Sequence, residues 1–304
     1  VDDYGIYNVV GGIVVILSFL NNAMASGTQR FLNVEMGRKD QNAVNKVFTT
    51  SQQIHFAVSV GILIIAETVG LWFLNNYMNI PDGRLLAANY VYQFSVISAI
   101  FGIFIVPYNA SIISHEKMDA FAYISIVEAI MKLLVVFAII WSPFDKPIFY
   151  AVLTMLACAI NGCVCYCFKH FEECRHFTLN PDKSMMRQML SFSGWTVFGN
   201  LGYILHTQGI AIVINMFFTV VVNAAQGIAN QVNGIVTQFT NNFLVALNPQ
   251  VVKTYAAGEY EQMHTLIIRG SKMAFCLMSF FVIPLVLEAP TILKVWLGIV
   301  PEYA

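Results

Sequence analysis

Glu128 and Lys132 stand four residues apart in IVEAIMKLLVVFAII, a run from Ile126 to Ile140 that is otherwise hydrocarbon. On a helix, a glutamate at i and a lysine at i+4 meet on one face. Inside a bilayer a lone charge costs about 2.5 to 3.5 kcal/mol on insertion scales, so the two side chains must neutralise one another for the segment to insert. The spacing leaves two uses open, a structural ion pair or a pair that takes part in substrate binding or ion coupling. A second constellation is neutral. Asn223, Gln226, Asn230, Asn233, Thr237, Asn241 and Asn248 recur at separations of three, four, three, four, four and seven, which places them on one helix face. One or two amides are ordinary glue between membrane helices. A stripe of this length predicts instead the wall of a hydrated cavity that hydrogen-bonds a polar solute. Shorter versions occur at Asn22, Ser26, Gln29 or Arg30, and Asn33, and again at Asn200, Thr207, Gln208 and Asn215.

The remaining polar groups in apolar runs are few. Arg30 in GTQRFL either snorkels to lipid headgroups or binds an anion. Glu67 in IIAETVG is a further carboxylate within an apolar run, and His206 in YILHTQG is either a satisfied buried imidazole or a proton carrier. Cys158, Cys163, Cys165 and Cys167 crowd one apolar run without a loop-anchored CxxC, so they read as small packing side chains and no metal site is expected. The sequence holds no GxxxxGK[ST], no HExxH and no nucleophile elbow. It therefore points away from direct ATP drive, from an enzyme and from any cofactor. No acidic residue falls between Asp182 and Glu259. A cavity of amides, hydroxyls and a few cations suits sugars and phosphates better than organic cations.

These groups need helices in a membrane to hold them. The chain is 58% hydrophobic and only 11% charged, with a mean hydropathy of +0.67, whereas soluble domains carry about 25% charged residues. Its net charge of -1 gives no basic surface for nucleic acid. The expected class is all-α, a polytopic transmembrane bundle. Eight spans are expected, at 4–32, 44–74, 85–114, 121–141, 148–168, 189–218, 222–247 and 266–297, separated by NIPDGR, SHEKMD, SPFDKP and the longer KHFEECRHFTLNPDKS. The last of these divides the chain into five spans and three. Residues 1–170 would form an N-terminal lobe, 171–186 a cytoplasmic linker and 187–304 a C-terminal lobe. With that linker inside, only Arg84, Lys146 and Lys294 lie on the outer side and Lys132 within a span, every other lysine and arginine being cytoplasmic. YNVVGGIV echoes VNAAQGIA, and NNAMASGTQ echoes NNFLVALNPQ, each followed by a small-residue turn at Gly37 or Gly258. Both copies run in the same direction, as in lobes related by an axis along the membrane normal.

The strings DYGIYNVVGGIV, QRFL, VPYNASIISHEKMDAFAYISI, MLSFSGW, VVNAAQGIANQVN, NPQVVKTYAAGE and VPEYA resemble the polysaccharide-export, O-antigen flippase-like branch of the MATE/MOP transporter superfamily. The resemblance implies two lobes around a central cavity that opens alternately to either side. It also implies that this chain is a fragment lacking the first span and the last several. The implied activity is flipping of undecaprenyl-pyrophosphate-linked oligosaccharide across the bacterial inner membrane. In that reading Arg30 and Lys132 meet the pyrophosphate, and Asn223, Gln226, Asn230, Asn233, Thr237 and Asn241 meet the sugar. Glu67 and Glu128 would couple an ion. The implied partners are the lipid-linked oligosaccharide, membrane lipids and a polysaccharide polymerase. Two other readings stay open, a cation-coupled multidrug exporter of the same superfamily and a non-transporting membrane scaffold for glycan assembly.

Overall fold

In hydrocarbon an apolar run has no water to satisfy its backbone, and a helix satisfies every N–H and C=O internally. All elements among the described residues are helical. The computed structural model describes residue 21 and residues 23–76, 85–140, 145–167, 171–174, 182–217 and 220–298. Within these, the side chains of 140, 164–167, 172, 203–209, 211–217, 220, 221, 223 and 224 lie outside the description. In chain order the helices are α1 (23–37), α2 (Gln41–Asn76), α3 (Leu85–Ser114), α4 (Met118–Ile140), α5 (Lys146–Cys167), α6 (Lys183–Phe217), α7 (Val220–Ala256), α8 (Tyr260–Leu287) and α9 (Ala289–Leu297), with a short 3-10 turn at Glu172–Cys174 before α6.

Five described segments are long and apolar enough to cross a membrane: Gln41–Asn76, Leu85–Ser114, Met118–Ile139, Lys146–Cys163 and Tyr260–Leu287. Helix α7 has the length, at 37 residues, but its amides keep it below that apolarity. Tyr123, Ile126, Ile130, Leu133 and Phe137 of α4 and Phe275, Phe280, Ile283 and Val286 of α8 are all exposed. Apolar surface on this scale faces lipid, not water. The protein is a multi-pass membrane protein of the expected all-α class.

The chain forms two compact units, one reaching to Val197 and the other beginning at Phe198, so the division falls inside α6. In the first unit α3 is the central helix, packed against α2, α4 and α5. One apolar cluster joins α2, α3 and α5 through Leu74, Val91, Tyr92 and Ala151. Another joins α1, α2, α3 and the start of α6 through Leu32, Phe48, Ala110 and Met189. In the second unit α7 packs along α8, and α9 follows α8 after the break at Glu288.

Three helix pairs turn tightly on one left-handed residue each, Lys39 (φ 60) between α1 and α2, Glu116 (φ 60) between α3 and α4, and Gly258 (φ 80) between α7 and α8. Asp40 then caps α2 by accepting from the Ala43 amide at 3.0 Å. The turn expected at Gly37 thus closes on Lys39. Two spans are less regular than expected. Ala66–Gly70 form a wide π turn within α2, into which the Tyr92 hydroxyl donates at 2.9 Å to the Ala66 carbonyl. Gly70 is required there, because a Cβ would collide with that hydroxyl. The expected last span is broken at Glu288, after Pro284 within α8 and before a proline at the start of α9. Proline cannot donate to the helix ladder but fits a first turn, and the Thr291 hydroxyl donates to the Glu288 carboxylate at 2.9 Å across the break.

Candidate functional site

The stripe on α7 lies about a quarter turn around the helix from the face that meets α8. That packed face is marked by buried Ala225 and Val236, by Thr240 against Met278 and by Leu247 against Gly270, where a Cβ would collide. On the stripe, Asn230, Asn233, Asn241 and Asn248 are exposed and Gln226 and Thr237 half-buried. The side chain of Asn223 lies outside the described residues, as do those of His206, Thr207, Gln208 and Asn215, and Asn22 entirely. Among the described residues the stripe's hydrogen bonds run along α7 itself. Gln226 donates to Asn230 at 3.3 Å, and the Thr237 hydroxyl donates to the Asn233 carbonyl. Beside the stripe, α7, α8 and α9 enclose a groove of about 470 Å³. Ala225, Val232, Val236, Val282, Leu285 and Ile292 line its apolar walls, and Gln226 and Asn233 stand at its polar edge. A second apolar hollow of about 460 Å³ continues it towards Phe239, Phe280 and Trp296. Polar wall and apolar trough therefore share one helix.

In the first unit the expected charged residues are distributed. Lys132 Nζ lies 2.6 Å from Glu128 Oε1, and Asn161 of α5 donates to the other Glu128 oxygen at 3.5 Å. Both charged side chains remain substantially exposed. Glu67 sits in the π turn of α2 and accepts from Gln93 of α3 at 3.1 Å. A π turn inside a membrane helix is often a functional position. The guanidinium of Arg30 lies 4.4 Å from the centre of the Phe192 ring, at a close crossing of α1 and α6 where a Cβ on Gly27 would come 2.7 Å from Ser193 Oγ. Each of these groups thus has its own neighbour, and only Glu128 and Lys132 are brought together.

Two polar clusters escaped the sequence reading. Thr28 of α1 shares a hydrogen bond of 2.8 Å with Ser51 of α2, and the His55 ring bonds the Ser51 carbonyl at 2.7 Å. Both His55 and Ser59 are buried. The signal was present, as Ser51, His55 and Ser59 recur at i, i+4 and i+8. The other cluster clips the linker to α3. Glu173, buried, accepts from Ser111 at 2.6 Å and bonds His115 at 2.7 Å, while Phe171 stacks on the His115 ring at 3.8 Å. Burial works to raise the Glu173 pKa, but the hydrogen bonds from His115 and Ser111 and the His115 charge prevail and hold it below the usual carboxylate range. Among the described residues no cluster of His, Cys, Asp or Glu could hold a metal ion.

Solved transporters share this helical arrangement. The chain superposes on a MATE transporter in its straight conformation with a TM-score of 0.84 at 12% identity, over 96% of this chain and 66% of that one. This is the MATE transporter fold. An outward-facing multidrug-resistance MATE transporter of the MOP superfamily matches with a TM-score of 0.75 at 13% identity, over 96% of this chain and 66% of that one. A MOP-superfamily transporter from Pyrococcus furiosus, described by the reverse polarity of its binding pocket, matches with 0.74 at 14% identity, over 94% and 64%. No family model and no curated protein matches the sequence. The chain spans about two thirds of the length of these MATE-fold structures.

Proposed function

We propose that this chain belongs to a transporter that flips a lipid-linked oligosaccharide, of the undecaprenyl-pyrophosphate type, across the bacterial inner membrane by alternating access. One observation carries the proposal: the neutral amide stripe of α7 is exposed, bonds along its own helix, and borders an apolar groove. An amphipathic substrate needs this pairing, a hydrogen-bonding wall for sugar hydroxyls beside a hydrocarbon surface for its chain. Amides donate and accept, so they exchange readily between water and hydroxyls. In this reading residues 1–170 and 187–304 are two lobes joined by the linker at 171–186, and the stripe meets the sugar. Arg30 and Lys132 receive the pyrophosphate, and Glu67 and Glu128 are the carboxylates available for ion coupling. A polysaccharide polymerase would take the product.

The test is thiol accessibility in the full-length protein stripped of native cysteines. Single cysteines at Gln226, Asn230, Asn233, Thr237 and Asn241 should react with a membrane-impermeant reagent, and addition of lipid-linked oligosaccharide should slow that reaction. Cysteines at Ile228 and Ile235, in the walls of the apolar hollows, should stay unreactive. Equal protection of both sets in every transport state would sink the cavity and the flippase with it. A second reading, a cation-coupled multidrug exporter, is favoured by the groove, whose volume of about 470 Å³ suits a drug-sized molecule. Protection of the groove cysteines by a hydrophobic cation, with none of the stripe by oligosaccharide, would select it.

A further inference from the structure

The polar stripe of α7 does not stop at Asn248. Asn241, Asn248 and Tyr255 follow one another at intervals of seven residues, two helix turns each with a drift of about 20°, and α7 continues through Pro249 to Ala256. Tyr255 therefore stands on the stripe's side of the helix, about 10 Å beyond Asn248 along its axis. Lys253, two positions earlier, projects from nearly the opposite side. Tyr255 is 59% exposed and Tyr260, the first residue of α8, 55%. The two rings meet across the turn edge to face, with centroids 5.9 Å apart and planes at 67°. The turn fixes them, as the Gly258 amide donates to the Tyr255 carbonyl at 3.1 Å and the Glu259 amide to the Thr254 carbonyl at 2.9 Å. An edge-to-face pair uses one face of one ring and one edge of the other, so open ring faces remain. Among the described residues neither phenol has a hydrogen-bond partner.

We propose that Tyr255 and Tyr260 form an aromatic subsite for one sugar ring of the oligosaccharide, at the end of the amide stripe. The subsite rests on the proposed function and extends it, because amides that trade water for sugar hydroxyls gain little net free energy. A pyranose also has a face of weakly positive C–H groups, and the face of an aromatic ring is negative. Stacking the two removes apolar area from water, and a phenol can donate to or accept from a sugar hydroxyl. Tyrosine does this at low entropic cost, since only two torsions must be fixed, and here the turn and the ring contact fix them in advance. Tyrosines near helix ends also anchor proteins at the membrane surface. That use fits less well. Glu259 and Glu261 flank Tyr260 and are exposed, so the surroundings repel anionic headgroups, and Tyr255 is in register with the amides. The same carboxylates repel a pyrophosphate, which makes this a subsite for neutral sugar and not for the phosphates.

The test compares two ligands on the full-length protein in lipid nanodiscs, radiolabelled undecaprenyl-pyrophosphate-linked oligosaccharide and undecaprenyl pyrophosphate without sugar. Tyr255→Leu and Tyr260→Leu keep apolar bulk and lose the ring. Each should weaken binding of the first ligand about tenfold, the scale of a lost aromatic contact, and leave the second unchanged. Tyr255→Trp keeps a ring and should bind the oligosaccharide as the parent does. Its added emission serves if a leucine variant does not fold: the sugar-bearing ligand should change it and the sugar-free one should not, and any other pattern overturns the proposal. Equal weakening of both ligands would make the tyrosines bilayer anchors and overturns it too. So does a folded Tyr255→Leu that binds the oligosaccharide as the parent does, a result that leaves the flippase standing. A parent protein that fails to bind the oligosaccharide removes the flippase and the subsite together.

Discussion

The α1–α2 hairpin and the α7–α8 hairpin both turn on a single left-handed residue and both carry polar side chains, but they put them in opposite places. In α1–α2 the polar groups are inside the contact, where Thr28 bonds Ser51 from helix to helix, His55 bonds Ser51 one turn along α2, and all three are buried. In α7–α8 the contact is made of Ala225, Val236, a Phe239 to Phe281 stack at 4.6 Å and Leu247 against Gly270. The amides stand beside it, exposed. Content is similar and address is different. A polar group inside a dry contact stabilises that contact and costs free energy when its partner goes, while one outside it is free to bond a mobile solute. The comparison separates polar groups inside a helix contact from polar groups beside one by position on the helix alone, and it can be broken by substitution.

The largest effect is expected at Glu173, which lies outside both hairpins but, like the polar groups of α1–α2, is buried inside a contact. Glu173→Ala leaves His115 and Ser111 facing a hole, and removing one partner of a buried pair costs about 3 to 5 kcal/mol. The melting point of the detergent-solubilised protein should fall accordingly, with the segment 171–174 becoming sensitive to protease. The sign of the pH dependence follows from the direction of the shift. Because the folded carboxyl lies below its ordinary value of 4.5, its contribution is fully present above that value and is lost as pH falls through the lower folded one. The clip should therefore hold at neutral pH and release in acid in the parent protein, and show no such acid step in Glu173→Ala. A variant as stable as the parent would mean that buried polar contacts do not hold this unit together.

Glu128 and Lys132 sharpen the comparison because they are polar, paired and yet exposed. If their surroundings are hydrocarbon, Glu128→Gln or Lys132→Met alone strands a charge at about 2.5 to 3.5 kcal/mol, and the yield of folded protein should drop. The double substitution strands none and should recover most of it. Recovery of folded protein without recovery of glycan export would show that the pair serves the substrate as well. Singles that match the parent would place both side chains in water, with the stripe of α7 and not with His55.

Hydropathy and breakers made the helices legible, because only length and apolarity decide whether a segment spans. The i+4 contact of Glu128 with Lys132 was legible for the same local reason, and so was the stripe on one face of α7. What a stripe faces is a tertiary fact, and its quarter-turn offset from α8 came only with packed residues such as Gly270. The break at Glu288 was signalled by Pro284 and Pro290, but a single apolar run hid it. His55 was overlooked because it lies among Gln52, Gln53 and Phe56, where a histidine carries no pattern until Ser51 and Ser59 are read with it. Glu173 was least legible. In KHFEECRHF it looks like a solvated linker residue, and its burial depends on Ser111 and His115, about sixty positions away.

The smallest effect is the most discriminating. Thr28→Val keeps shape but removes the hydroxyl that Ser51 bonds, and a buried hydrogen bond lost in this way costs about 1 to 3 kcal/mol. Asn230→Ala removes a group whose described bond is to Gln226 on its own helix, and surface substitutions of that kind stay within about 0.5 kcal/mol. Thermal unfolding of the two variants side by side should show a clear drop for the first and almost none for the second. Transport should rank them the other way, with Asn230→Ala slowing export of oligosaccharide at unchanged protein level. If instead Asn230→Ala destabilises as much as Thr28→Val, the amides of α7 are bonded into a dry contact. The two hairpins would then use their polar groups alike, and the stripe would be glue.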